Sequence, residues 1–181
     1  KTLIIDADLK LPNLHSIFTT NRQPGLTDIL VGTESLESVV QKTTYENMEL
    51  ITAGHSTVNP AELLESGKMN DFLEQVRNQY DQVIIDTTPI SGLADPLALA
   101  SKTDGVCLVC SVGKTNIDDF KRVVERMRQL QIQILGVVYN HKHRGSRSAE
   151  RYGKYGTKYG SYGQYGYYRK DDQGSEPSAK A

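Results

Sequence analysis

Ile4-Ile5-Asp6-Ala7-Asp8 and Val83-Ile84-Ile85-Asp86-Thr87-Thr88-Pro89 are short apolar runs that each stop at aspartate. A run of that length, bounded by charge or turn residues, reads as a strand buried in a parallel sheet. The same pattern gives five strands in all: Thr2–Asp6, Met48–Thr52, Gln82–Asp86, Gly105–Val112 and Gln133–Tyr139. Helical patterns lie between them, at Leu26–Val31, Ser35–Gln41, Ala61–Gln79 (one helix or two), Asp95–Ser101 and Asn116–Leu130. In the last of these, Ile117, Phe120, Val123, Val124, Met127 and Leu130 recur at helical spacing, with Asp118 and Asp119 in the first turn. Strands alternating with helices predict an α/β fold, a mostly parallel sheet flanked by helices on both faces.

In an open parallel sheet the ligand lies beyond the carboxyl ends of the strands. Asp6, Asp8 and Asp86 stand there, as carboxylates able to hold a hard cation directly or through water. Strand ends also carry polar residues simply to meet solvent. Two acidic ends in one sheet, one of them a doublet, point instead to a phosphate-and-metal site.

The 181 residues suit one domain with an appendage, and a net charge of −1 does not suggest a nucleic-acid partner. No apolar run approaches the ~18–20 residues of a bilayer span. Cys107 and Cys110 form a Cys-x-x-Cys, but residues three apart on a strand face opposite ways, so they are read as packing. His15, His55, His141 and His143 have no carboxylate or second histidine at ligand spacing and read as surface residues. Ser56 follows His55, but Val58 stands where a hydrolase nucleophile turn has glycine, which removes a Ser-His mechanism.

The charge is unevenly placed. Residues 1–143 hold 13 Lys+Arg against 18 Asp+Glu, whereas residues 144–170 hold 7 against 1. From Arg144 to Ala181 there is no Val, Ile, Leu, Met or Phe, but there are seven Tyr and seven Gly. Such a segment cannot bury enough surface to offset its ordering entropy. The expected organisation is an acidic domain over 1–143 followed by a disordered basic tail over 144–181. Tyr152, Tyr155, Tyr159, Tyr162, Tyr165, Tyr167 and Tyr168 line that tail, interleaved with glycines that disfavour helix. A basic aromatic tail could also stack on single-stranded nucleic acid.

Thr2-Leu-Ile-Ile-Asp-Ala-Asp-Leu-Lys-Leu-Pro12 resembles the Walker A′ motif of bacterial tyrosine kinases, relatives of the chromosome-partitioning and division-site ATPases. Pro24-Gly-Leu-Thr-Asp-Ile-Leu-Val-Gly32, Asn59-Pro-Ala-Glu-Leu-Leu-Glu-Ser66 and Tyr80-Asp-Gln-Val-Ile-Ile-Asp-Thr-Thr-Pro89 resemble further blocks of that family in order, the last its Walker B. Gly136-Val-Val-Tyr-Asn140 resembles its last strand, and the tail its autophosphorylation cluster. Thr88 and Lys10-Leu11 depart slightly, since the family more often has Pro and a pair of Arg. The larger departure is that Gly-x-x-x-x-Gly-Lys-Ser/Thr, the phosphate-cradling loop, appears nowhere. In the family it lies about one strand–helix unit before Walker A′. Lys1 is not an initiator Met, so the chain is expected to start just downstream of that loop and to bind ATP poorly alone.

The resemblance implies a P-loop NTPase-like fold of the deviant Walker A class, with ATP and Mg²⁺ as cofactors. It implies Asp6 and Asp8 as catalytic residues, with Asp8 favoured as general base, and Asp8 with Asp86 at the metal. Asn140 would read the adenine, and the seven tail tyrosines would be phosphoacceptors. The implied function is an ATP-dependent protein-tyrosine kinase that autophosphorylates in trans and regulates exopolysaccharide or capsule synthesis and export. The implied partners are a transmembrane activator or adaptor, fused or separate, copies of itself in a ring, and a phosphotyrosine phosphatase; no nucleic acid is expected. The implied place is the cytoplasmic face of the inner membrane. The rival readings are a partitioning-type ATPase that modifies no tyrosine, and a non-catalytic domain displaying a basic aromatic tail.

Overall fold

The computed structural model describes residues 1–90 and 95–141, within one compact unit running from Lys1 to His141. The expected tail, with all seven of its tyrosines, lies outside the described residues. β1 (Thr2–Asp6) leads through α1 (Leu14–Phe18), α2 (Leu26–Val31) and α3 (Leu36–Val39) to β2 (Gln41–Lys42) and β3 (Met48–Ile51). α4 (Pro60–Glu65) and α5 (Gly67–Arg77) precede β4 (Gln82–Asp86). α6 (Asp95–Ala100), β5 (Val106–Ser111), α7 (Ile117–Gln129) and β6 (Ile134–Asn140) complete the described chain.

β1 is central in a four-stranded sheet of order β2-β3-β1-β4. It runs parallel to β3, with Ile5 opposite Ile51, and to β4, with Asp6 opposite Asp86. β5 and β6 form a separate parallel pair. The five expected strands are present. β2 was not anticipated: two residues, antiparallel to β3, carry no periodicity to read. The long pattern at 61–79 divides at Ser66, whose extended backbone ends α4 and whose side chain accepts the Met69 N–H at 3.3 Å to start α5. Asn116 starts α7 in the same way, accepting the Asp118 and Asp119 N–H groups.

Leu3, Ile5, Leu26, Leu30, Val39, Ile51, Met69 and Val76 form the main core. Each such side chain contributes about 1.5–3 kcal/mol on burial. Leu108, Met127 and Ile132 centre a smaller cluster under α6 and α7. Part of the sheet surface is open among the described residues. Ile84, Val109, Leu135, Val137, Val138 and Tyr139 are between 46% and 72% exposed. Cys110 is buried but Cys107 is exposed, so only one of the two cysteines packs. Among the described residues no helix is long and apolar enough to cross a membrane.

α2 is pinned to the end of β3. The Leu26 N–H donates to the Thr52 carbonyl at 2.7 Å, and the Thr27 N–H to Ala53 at 3.0 Å. This approach requires glycine at 25, because a Cβ there would run into the Thr52 carbonyl oxygen and the Gly54 backbone. Gly25→Ala is therefore expected to lower stability by about 1–3 kcal/mol through overpacking, read from the urea midpoint. Gly67→Ala, where a Cβ meets open space, should be near neutral in the same titration.

Candidate functional site

The loop leaving β1 winds around a fully buried carboxylate. One oxygen of Asp6 accepts the Asp8 N–H at 3.2 Å; the other accepts Asn13 at 3.1 Å and Leu14 at 3.0 Å. Asp8, also buried, accepts the Leu11 N–H at 3.0 Å and feels the Lys10 ammonium. Across the sheet the Ala7 N–H donates to the Asp86 carbonyl at 2.8 Å, which brings the third carboxylate to the same edge.

Crowding three carboxylates has an electrostatic cost. Burial raises the Asp6 pKa against the pull of its backbone donors, and the Asp8 charge raises it further. Burial likewise raises Asp8, opposed by the Leu11 and Lys10 N–H groups and by the Lys10 charge. Asp86 is open to solvent on one side, yet the protein around it, then the Asp6 and Asp8 charges, push its carboxyl up to about 6. An excess of negative charge in oxygen donors is the chemistry a hard cation relieves. No group of three or more His, Cys, Asp or Glu among the described residues forms a ready cage. The fit is therefore to an ion such as Mg²⁺ that uses one or two carboxylates and keeps waters or phosphate oxygens for the rest.

Of the residues expected at the site, Asp6, Asp8 and Asp86 come together. Asn140 is exposed at the end of β6, in the two-stranded sheet, where its carbonyl accepts the Val112 N–H at 3.0 Å.

The structure adds a further buried carboxylate to this edge. Asp28, in α2, accepts the Gly25 N–H at 2.7 Å with one oxygen and meets Nδ1 of His55 at 2.6 Å with the other. His55 was expected to be a lone surface histidine. It is paired, and its partner is 27 residues away, beyond any local pattern. The Gly25–Asp28 spacing, typical of a helix start, was the only signal available.

A parallel α/β sheet with acidic strand ends beside a Walker A′-like loop defines the P-loop NTPase class of nucleotide-binding folds. Residues 1–136 match the family model described as AAA domain. The chain is 35% identical to the tyrosine-protein kinase Ptk of Acinetobacter johnsonii over 146 residues, 81% of this chain and 20% of that protein. It is 34% identical to the tyrosine-protein kinase CpsD of Streptococcus pneumoniae over 156 residues, 86% of this chain and 67% of that one. The VpsO kinase domain superposes with a TM-score of 0.76 at 36% identity, over 79% of this chain and 71% of that one. The chain belongs to the bacterial tyrosine-kinase family. It spans about a fifth of the length of the Acinetobacter relative.

Asp86 gives a pH signature. An acid whose pKa is raised on folding costs stability as pH climbs from the unfolded value near 3.8 through the folded value of about 6. Asp86→Asn removes that cost. The variant should match the parent near pH 4 and exceed it above pH 6, by about 1 kcal/mol once solvent screening of this open group is allowed for. Urea midpoints at pH 4 and pH 7.5 measure the difference.

Proposed function

We propose that the whole protein transfers the γ-phosphoryl group of ATP, with Mg²⁺, to tyrosines of the 144–181 tail of a neighbouring copy. The observation that carries this reading is the meeting of Asp8 and Asp86 at the carboxyl edge of the sheet, in a chain that also bears seven clustered tyrosines. Bound Mg·ATP would supply the phosphoryl group and charge neutralisation, and the remaining work falls to this chain's residues. Asp86 would hold the cation, with Asp8 beside it. Asp8 also takes the phenolic proton, a task its raised pKa favours. Asp6 keeps the loop in place; its oxygens are occupied by three backbone N–H groups. Asn140 is kept as the adenine contact.

The resemblance extends the proposal to an adaptor in the inner membrane, a ring of copies, an opposing phosphotyrosine phosphatase, and control of capsule or exopolysaccharide export. The relatives' greater length supports a longer protein. So do the outward apolar residues of β4, β5 and β6, which further chain, including a phosphate-binding loop, would cover.

The test is phosphotyrosine formation by the whole protein with Mg·ATP. Asp8→Asn should lower the transfer rate by about 10²–10⁴-fold, as loss of a general base does, and leave nucleotide affinity within a few-fold. Replacing the seven tail tyrosines by Phe should abolish self-labelling. ATP hydrolysis without phosphotyrosine would instead assign the chain to the partitioning type of ATPase.

A further inference from the structure

The loop that leaves β3 carries a pair of side chains that the proposed reaction does not use. Nδ1 of His55 lies 2.6 Å from one oxygen of Asp28. A carboxylate only accepts, so Nδ1 holds the ring proton and the lone pair sits on Nε2. The His55 side chain is 62% exposed, whereas that of Asp28 is 7% exposed. A buried acid thus fixes the tautomer of an imidazole that stands open to solvent. We infer that Nε2 of His55 is a phosphoryl-acceptor site, a phosphohistidine position separate from the tyrosines.

Both partners of the pair are held. The second Asp28 oxygen accepts the Gly25 N–H at 2.7 Å and the His55 N–H at 3.4 Å. The Thr27 hydroxyl donates to the His55 carbonyl at 2.9 Å. Gly54, at φ +84°, makes the close approach possible, because a Cβ there would meet the Asp28 carboxylate at 2.5 Å. A nucleophile oriented by a second group, itself fixed by a third, is the arrangement that activates a side chain for covalent chemistry. The carboxylate also raises the basicity of the ring and sets its orientation.

Phosphate is the group these surroundings fit. Arg22 donates from Nε to the Gly54 carbonyl at 3.2 Å and from Nη2 to Ser56 Oγ at 3.1 Å, so it grips the residues on both sides of His55. Among the described residues no carboxylate pairs with that half-buried guanidinium. The titratable neighbour it acts on is another base, His15, whose pKa is lowered by burial and then by the Arg22 charge. A guanidinium without an anion matches a phosphoryl group. A metal fits less well, since no three His, Cys, Asp or Glu side chains gather as ligands among the described residues. β3 runs parallel and adjacent to β1, so the His55 loop opens at the same carboxyl edge as Asp8.

In the step, the Nε2 lone pair forms an N–P bond to the terminal phosphorus of a nucleoside triphosphate. The bond from that phosphorus to the β–γ bridging oxygen breaks, and the nucleoside diphosphate leaves with the electron pair. No proton has to be taken from the nucleophile, because Nδ1 keeps its own. The ring becomes cationic, and Asp28 faces that charge across the 2.6 Å contact. Arg22 offers the transferred group its counter-charge. The nucleoside triphosphate as donor rests on the phosphoryl-transfer reading above; the reactivity of the imidazole does not.

Phosphoramidate, a small phosphoryl donor that needs no nucleotide site, tests the imidazole directly on the full 181-residue chain. Site-resolved mass spectrometry at neutral pH should find His55 labelled about tenfold faster than His141 and His143. Asp28→Asn should bring His55 down to the rate of those two, and His55→Gln should remove the fast phase. Equal rates at the three histidines of the parent chain overturn the inference without recourse to any variant, and so does an unchanged His55 rate in Asp28→Asn. In the whole protein with Mg·ATP, an acid-labile, base-stable label is expected at His55. It should persist when the seven tail tyrosines are replaced by Phe. Phosphotyrosine with no label at His55 would overturn the inference. Fast labelling by phosphoramidate, with no label from ATP on either histidine or tyrosine, would overturn the phosphoryl-transfer reading and leave the reactive imidazole standing.

Discussion

The Asp6 carboxylate, buried without access to water, governs the geometry of this edge of the protein. A charge in that position is tolerated only when donors replace the lost hydration. It has three, all backbone N–H groups, from Asp8, Asn13 and Leu14. Satisfying them forces residues 7–13 to curl back on the end of β1. That curl sets Asp8 above the sheet and near Lys10, close to the Asp86 strand end. An asparagine in its place would present one carbonyl oxygen where the loop uses two carboxylate oxygens.

The neighbouring strand repeats the device. The exit of β3 is gathered around Asp28, buried like Asp6, with the Gly25 N–H and the His55 ring as its partners. Because β1 and β3 are adjacent and parallel, the two gathered loops emerge side by side. Rigid strands beneath and a buried anion within each loop give surface residues such as Lys10 and Val58 defined positions. Loops built in this way can carry function, because a scaffold determines where they point.

The fold was legible in the sequence wherever apolar runs ended at charge. Thr2–Asp6 and Gln82–Asp86 occur as read, because strand length and a buried parallel setting leave a strong pattern. β2 left none, being two polar residues long. The outward faces of β5 and β6 are legible only in part: Val109, Leu135 and Val137 have the composition of covered strand, and composition does not say what covers it. At the site, three aspartates could be named from strand ends and family blocks. Their division of labour could not, because whether an aspartate faces solvent or its own loop depends on backbone donors that a sequence does not display. His55 was illegible for a related reason, since a pairing 27 residues apart is created by the β3–α2 contact alone.

The raised pKa values of Asp6, Asp8 and Asp86 share a direction, and that direction carries an argument about how the site is used. Backbone donors lower all three and do not prevail, so the arrangement remains short of positive charge. A cation relieves the shortage at a fixed point and persists while bound. An acidic edge that Lys10 and the backbone donors leave short of positive charge is thus one that a cation would steady, lowering all three carboxyl pKa values together.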